Sequence, residues 1–120
     1  MKNKLFTSLG LMSGTSMDGV DVSLVISNGI DQFTNVLDEY HEYDNDLHQQ
    51  LVNLRNLILN NNDLDKHSEK LIELEREITL FHGKIINEIS LKYKGKIDLI
   101  GFHGQTIFHD PKKKTFQTTW

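Results

Sequence analysis

The sequence has 120 residues, enough for one domain, and its 38% hydrophobic and 25% charged content is typical of a globular protein. Its formal net charge of -4 argues against a nucleic acid or an anionic membrane as a partner. It has no cysteine, which excludes a disulfide framework and a thiolate zinc site, and we expect a cytoplasmic protein. The N-terminal apolar run is short and interrupted by polar residues, which argues against a secretory signal.

The first third of the chain predicts three strands. Residues 4–12 are largely apolar, residues 20–26 alternate, and a third strand covers residues 33–40. The apolar residues of the second strand share one face: Val20, Val22, Leu24 and Ile26. Since short turns join the strands, we expect an antiparallel meander.

Two helices are predicted next, because apolar residues recur at spacings of three and four. The first helix has the stripe Leu47, Leu51, Leu54 and Ile58. An asparagine triplet at residues 60–62 ends it, and Asp63 or Asp65 is the candidate N-cap of the second helix. The second helix keeps one apolar face: Leu71, Leu74, Ile78, Phe81, Ile85 and Ile89.

The last part of the chain predicts strands again. Residues 97–102 are a continuous apolar run, typical of a strand buried on both faces. A strand, a long helix and another strand form a crossover with parallel pairing. We expect residues 106–109 and 115–120 to pair as a hairpin around residues 110–111, and the lysines at 112–114 to be a solvated basic run.

The most polar early segment is MSGTSMDGVD, residues 12–21, between the first two strands. Gly14 and Gly19 have the spacing of a P-loop, but Val20 and Asp21 stand where Lys and Ser or Thr are required. The loop also leads into a strand, whereas a P-loop leads into a helix. A nucleophile elbow is excluded too, because no serine here has glycines at both flanking offsets.

A phosphate clamp between two strands remains compatible with this loop. Its glycines allow backbone N–H groups to approach an anion, and Ser13, Thr15 and Ser16 add neutral donors. Asp18 and Asp21 would repel a bare phosphate, so they require Mg²⁺ or its waters in between. A plain hairpin turn rich in Gly and Ser explains the spacing equally well, and both interpretations stay open.

A second polar segment, GFHGQTIFHD, covers residues 101–110. His103 follows the buried strand, where a parallel sheet exposes the edge that binds ligands. Gln105 and Thr106 are uncharged hydrogen-bonding groups suited to a sugar or a phosphate. His103 and His109 form a weak metal pattern, for which hydrogen-bonded structural histidines are the simpler interpretation.

Other polar residues show no clear functional pattern. The remaining histidines fit neither a catalytic nor a metal site: His41, His48, His67 and His82. The acidic row that runs from the end of the third strand into the first helix is interpreted as a solvated corner: Asp38, Glu39, Glu42, Asp44 and Asp46.

Together, GLMSGTSMDGVD at residues 10–21 and GFHGQTIFHDP at residues 101–111 resemble the start of the anhydro-N-acetylmuramic acid kinases. The resemblance covers the whole chain in order and implies an α/β fold. This fold is the ribonuclease H-like lobe of actin, hexokinase and heat-shock-chaperone ATPases, with an antiparallel three-stranded meander followed by helices and a parallel strand. Residues 1–120 would form the N-terminal part of the first actin-like ATPase lobe, with the second lobe absent.

The resemblance also implies an activity. Members of this family use ATP and Mg²⁺ to convert 1,6-anhydro-N-acetylmuramic acid to N-acetylmuramic acid 6-phosphate in peptidoglycan recycling. An aspartate base activates water to open the anhydro ring at C1, and O6 takes the γ-phosphoryl group. The implied partners are ATP and an amino sugar, with a homodimer by family analogy, and neither nucleic acid nor membrane.

Site residues carry over by position. The ATP-binding loop would be Gly14, Thr15, Ser16, Met17, Asp18, Gly19, Val20 and Asp21. Asp18 would serve Mg²⁺, directly or through water. The sugar side of the cleft would be bordered by His103, Gln105 and Thr106.

Two departures from the family pattern limit this expectation. Phe102 stands where the family more often has a small residue. The chain stops at Trp120 inside an alternating run, and the family's aspartate base and glycine-rich adenine segment would follow that residue. We therefore expect no catalytic base within this chain and no turnover by the chain alone.

Two other functions remain as alternatives. One is a non-catalytic nucleotide-binding or interaction module, since the actin-like fold does not decide function. The other is a metal-dependent hydrolase built on His103 and His109.

Overall fold

The structure, a computed structural model, describes residues 4–109 and 117–119. Three strands come first, three helices follow, and two strands complete the described chain. The elements are β1 (Phe6–Ser13), β2 (Gly19–Ser27), β3 (Phe33–Glu42), α1 (Asn45–Leu57), α2 (Asn61–Lys66), α3 (Ser68–Lys92), β4 (Leu99–His109) and β5 (Gln117–Thr119).

The strands form one sheet in the order β3-β2-β1-β4-β5. β1, β2 and β3 pair antiparallel, and β4 pairs parallel with β1 after the helical crossover. The predicted meander and crossover are therefore confirmed, and the mixed α/β arrangement agrees with the ribonuclease H-like lobe that the resemblance implied.

The predicted C-terminal hairpin is confirmed in its pairing. β5 runs antiparallel to β4, with Thr106 opposite Thr119 and His109 opposite Gln117. The expected turn, the lysine run and Trp120 lie outside the described residues.

The core lies between one face of the sheet and the helices. Alternate residues of β1 and β2 are buried against the apolar stripes of α1 and α3, as their spacing predicts. The most deeply buried members of this core are Leu9, Met17, Val20, Val22, Leu24, Leu51, Leu54, Leu74, Ile78, Ile85 and Ile89. Each such side chain stabilises the fold by roughly 1.5–3 kcal/mol. Within the described part of the chain, no helix is both long and apolar enough to cross a membrane.

The predicted cap of the second helix was wrong. The Asn60 side chain accepts from the backbone N–H groups of Asn62 and Asp63, and the Asp63 carboxylate accepts from the Asn60 N–H. This reciprocal pair is a capping box, which places Asp63 in the first turn rather than before it. The helix predicted as one piece is divided at His67, where α2 ends and α3 begins.

The expected double burial of β4 was also wrong. In its first half, Leu99, Ile100 and Phe102 are 56%, 51% and 46% exposed. β5 pairs only with the second half, from Thr106 onward, so the first half has β1 as its single neighbour. The buried part of β4 is instead residues 104–107.

A bulge separates the two halves of β4. Leu11 pairs with Phe102, but Ser13 pairs with Gln105, so β4 has one extra residue there. Gly104 adopts a φ of 82° within this bulge. Because side chains alternate along a strand, the extra residue brings Gln105 to the same face as Phe102.

We predict opposite effects for two glycine-to-alanine substitutions. Gly104→Ala forces a side chain into the left-handed region and should lower the free energy of unfolding by about 1–2 kcal/mol. Gly83→Ala, at an exposed position inside α3 with no atom near the added Cβ, should raise it by roughly 0.5–1 kcal/mol. Urea denaturation of both variants measures the difference; a neutral Gly104→Ala would contradict a strict glycine requirement.

Candidate functional site

The loop between β1 and β2 is a tight turn with an exposed tip. The Met17 N–H donates to the Gly14 carbonyl oxygen at 3.3 Å, and Thr15 and Ser16 are exposed between them. Met17 has a φ of 59° and is nonetheless 1% exposed. A left-handed conformation costs a residue with a side chain about 1–2 kcal/mol, so burial of this side chain is what offsets the strain.

Two long side chains hold the carbonyl oxygens at the start of the loop. The Gln105 side-chain amide, from β4, donates to the Gly14 oxygen at 2.7 Å. The Arg55 guanidinium, from α1, donates to the Thr15 oxygen at 3.1 Å.

The end of the loop is held in the same way. His48 Nδ1, from α1, lies 2.7 Å from the Met17 carbonyl oxygen, so Nδ1 carries the proton and donates it. The Tyr43 backbone N–H donates to the Asp18 backbone carbonyl oxygen at 2.9 Å. Four loop carbonyl groups therefore have partners within the protein.

This arrangement fixes the direction of the loop's N–H groups. In a trans peptide the C=O of one residue and the N–H of the next point in opposite directions. Tying the Gly14 and Thr15 oxygens to the protein therefore turns the Thr15 and Ser16 N–H groups away from it. Within the described residues neither N–H has an acceptor, and a pair of outward N–H groups in a turn can bind an anion.

The two loop glycines have different structural roles. A Cβ on Gly19 would overlap the His41 carbonyl oxygen and lie 2.8 Å from the Tyr40 hydroxyl oxygen. Gly19 thus allows β3 to approach closely. A Cβ on Gly14 would meet no atom within 4 Å, so the space beside Gly14 is open.

A buried hydrogen-bond network lies beneath the loop. The Tyr43 hydroxyl group is 2.9 Å from Ser13 Oγ and 3.1 Å from Gln105 Oε1. His82 Nδ1 donates to the Ile78 carbonyl oxygen at 2.8 Å, which leaves Nε2 as an acceptor 3.3 Å from Ser13 Oγ. Ser13 and Gln105 are 0% exposed and His82 is 1% exposed, so the network is sealed from water.

Burial shifts the titration of two groups in this network. It raises the pKa of the Tyr43 hydroxyl to about 12, while the hydrogen bond to Ser13 acts in the opposite direction. It lowers the pKa of His82, against the effect of the bond to the Ile78 carbonyl. Tyr43 therefore stays a donor and His82 stays neutral at neutral pH, as their hydrogen bonds require.

The segment expected on the sugar side is only partly exposed. His103 is exposed, and its Nδ1 donates to the Gly104 carbonyl oxygen at 3.0 Å, which leaves Nε2 free to face a ligand. Gln105 and Thr106 are buried, and the polar atoms of Gln105 bond to the loop and to Tyr43. Phe102 packs edge-on against His82, with ring centroids 4.6 Å apart.

The structure thus brings the two sequence motifs into contact through Gln105 and Gly14. No sequence pattern indicated His48, His82, Tyr43 or Arg55, yet each contacts the loop or its supporting network. The one available signal was a histidine on the apolar face of α3, since His82 lies four residues after Ile78.

Acidic groups near the loop are exposed. The Asp18 side chain is 57% exposed, with one oxygen 3.7 Å from His48 Nδ1. Within residues 4–109 and 117–119, no group of three His, Cys, Asp or Glu side chains is close enough to hold a metal ion. A Mg²⁺ ion here would need oxygen ligands from a bound phosphate and from water besides Asp18, as this ion commonly has.

The acidic corner is held by local contacts. Ser23 donates to the Asp38 carboxylate at 2.6 Å, which, with a bond from Asn35, lowers the pKa of Asp38. Hydrogen bonds from Lys92 and His41 likewise lower the pKa of Glu39. Asp38, Glu42, Asp44 and Asp46 are exposed and Glu39 is partly exposed, which agrees with the interpretation of this corner as a solvated surface.

Comparison with known proteins identifies similar sequences over nearly the whole chain. The family model described as "Anhydro-N-acetylmuramic acid kinase" matches residues 6–119. A curated relative of that name from Pelagibacter ubique (strain HTCC1062) is 50% identical over 111 residues, which cover 92% of this chain and 30% of the relative. Another from Rhodopseudomonas palustris (strain HaA2) is 34% identical over 116 residues, which cover 92% and 31%. The chain spans about 30% of the length of these relatives.

We predict a pH-dependent contribution of His82 to stability. An unfolded histidine titrates near 6.5, and burial lowers the pKa in the folded state. Below pH 6.5 the unfolded state therefore binds more protons than the folded state. The free energy of unfolding then decreases as the pH is lowered, until the pH reaches the pKa of the folded state. Urea denaturation at pH 7 and pH 5 should show a smaller fall for His82→Gln than for the unsubstituted protein. Equal falls would mean that the buried ring accepts a proton as readily as an unfolded one.

Proposed function

Because the chain belongs to the anhydro-N-acetylmuramic acid kinase family, we propose that residues 14–21 bind the phosphates of ATP and that the whole protein phosphorylates an anhydro amino sugar. The substrate is proposed to be 1,6-anhydro-N-acetylmuramic acid and the product N-acetylmuramic acid 6-phosphate, in peptidoglycan recycling. Residues 1–120 are then the N-terminal part of the first actin-like ATPase lobe.

The observation that carries the proposal is the outward direction of the Thr15 and Ser16 N–H groups. Phosphoryl transfer depends on positioning and on neutralising charge around the phosphates, which preorganised N–H groups do at no cost of reorganisation. The hydroxyl groups of the same two residues, and the open space beside Gly14, suit an approaching phosphate. The proposed Mg²⁺ would offset the negative charge of Asp18 and Asp21.

The sugar is proposed to bind beside β4. His103 offers an exposed ring nitrogen there, with Gln105 and Thr106 forming the wall behind it. In the proposed reaction water adds to C1 of the sugar as the C1–O6 bond breaks, and its proton passes to a carboxylate base. The freed O6 then bonds to the γ-phosphorus, and ADP leaves.

We propose that this base belongs to a part of the family's chain outside residues 1–120, since these residues span about 30% of the relatives. The chain alone would then bind ATP without transferring phosphate. A second candidate function is a nucleotide-binding module without catalysis, because the actin-like fold by itself does not decide function. A homodimer is proposed by family analogy.

We predict that the full-length gene product forms ADP and a sugar 6-phosphate when ATP, Mg²⁺ and the anhydro sugar are all present. Coupled ADP release and mass spectrometry of the sugar measure this. The chain of 120 residues should bind a fluorescent ATP analogue and release no ADP. Binding without transfer by the full-length product would favour the module, and absence of both would refute nucleotide use.

We predict separate outcomes for the two loop glycines. Gly14→Ala places a methyl group in open space, so the melting temperature should stay unchanged while the KM for ATP rises about tenfold. Gly19→Ala pushes against the backbone of β3 and should lower the free energy of unfolding by about 1–3 kcal/mol. Circular dichroism melting and steady-state kinetics separate the effects. An unchanged KM for Gly14→Ala would place the phosphates elsewhere.

A further inference from the structure

We infer that Arg55 and His48, both on α1, are positioning residues of the phosphate-binding loop. They touch the carbonyl side of the loop, opposite the N–H groups that face the ligand. This inference rests on the proposed function and extends it to a helix that neither sequence motif includes.

The geometry of the two contacts is complementary. Arg55 holds the oxygen of the peptide that carries the Ser16 N–H, and His48 holds the oxygen of the peptide that carries the Asp18 N–H. In each peptide the N–H points away from the side chain that holds the oxygen. Two turns of one helix therefore set the direction of two loop donors, because these residues are seven apart on α1.

The loop needs such support because it is strained. Met17 is held in the left-handed region, and the His48 contact is made to the carbonyl group of that same residue. Losing the contact leaves the Met17 peptide free to rotate, and an αL residue other than glycine gains stability by relaxing. The relaxed peptide would no longer present its N–H to the ligand.

Neither Arg55 nor His48 is needed to hold α1 in place. Leu47, Leu51 and Leu54 anchor α1 in the core, so the helix is fixed independently of Arg55 and His48. Both side chains are partly exposed, with His48 at 29%. Their removal should therefore change the loop more than the fold.

The test uses the full-length gene product with Arg55→Ala, His48→Ala and a matched control, Arg76→Ala. Arg76 lies on the exposed face of α3, so the Arg76→Ala substitution removes the same charge as Arg55→Ala without affecting a contact to the loop. We expect the Kd for ATP and the KM for ATP to rise about tenfold in each α1 variant, since a hydrogen bond from a charged or strongly polar donor is lost. The KM for the sugar and the melting temperature should stay at the values of the Arg76→Ala control.

Conservative variants separate positioning from bulk structure. Arg55→Lys keeps one donor, and His48→Asn keeps an N–H near the place of Nδ1, so both should recover most of the ATP affinity. ATP binding in Arg55→Ala and His48→Ala equal to that of Arg76→Ala would overturn the inference. A parallel rise of both KM values, or no recovery in Lys and Asn variants, would also overturn it. If the unsubstituted protein binds no ATP, the proposed function itself fails, and this inference fails with it.

Discussion

The site depends on one hydrogen bond, from the Gln105 side-chain amide to the Gly14 carbonyl oxygen. It connects the loop that ends β1 with the middle of β4, two segments separated by the whole helical crossover. The Tyr43 hydroxyl group donates to Gln105 Oε1 and so fixes which end of the side-chain amide is the oxygen. The NH2 group at the other end then points toward the Gly14 carbonyl oxygen. Each buried polar atom in this cluster thus has a partner, as a water-free position requires.

Sequence patterns predicted the layers of the fold well. The alternation of Val20, Val22 and Leu24 and the stripes of α1 and α3 are repeated signals, and they report burial against a single core. The cap of α2 was missed because Asn60 and Asp63 compete for the same role, and only their mutual geometry decides it. The exposure of Leu99 and Ile100 was missed because an apolar run does not show how many neighbours a strand has.

The loop of the candidate site could be found in the sequence as a polar segment between two strands, whereas the side chains that hold it could not. Gly14, Thr15 and Ser16 belong to a local segment whose spacing can be examined directly. Arg55 and His48 act on that segment across a distance in sequence, through bonds to backbone oxygens that any residue would offer. Such contacts carry no residue pattern on the side that receives them, so a single sequence does not reveal them.

The bulge at Gly104 has a consequence for how chains of this family are compared. After the bulge, each residue of β4 lies on the opposite face of the sheet from the one that simple alternation from Leu99 would assign. Straightening the bulge without removing a residue would restore the alternation, turn Gln105 outward and bring Thr106 toward the loop. A glutamine at this position therefore reaches the loop only in a chain whose β4 has the same extra residue before it.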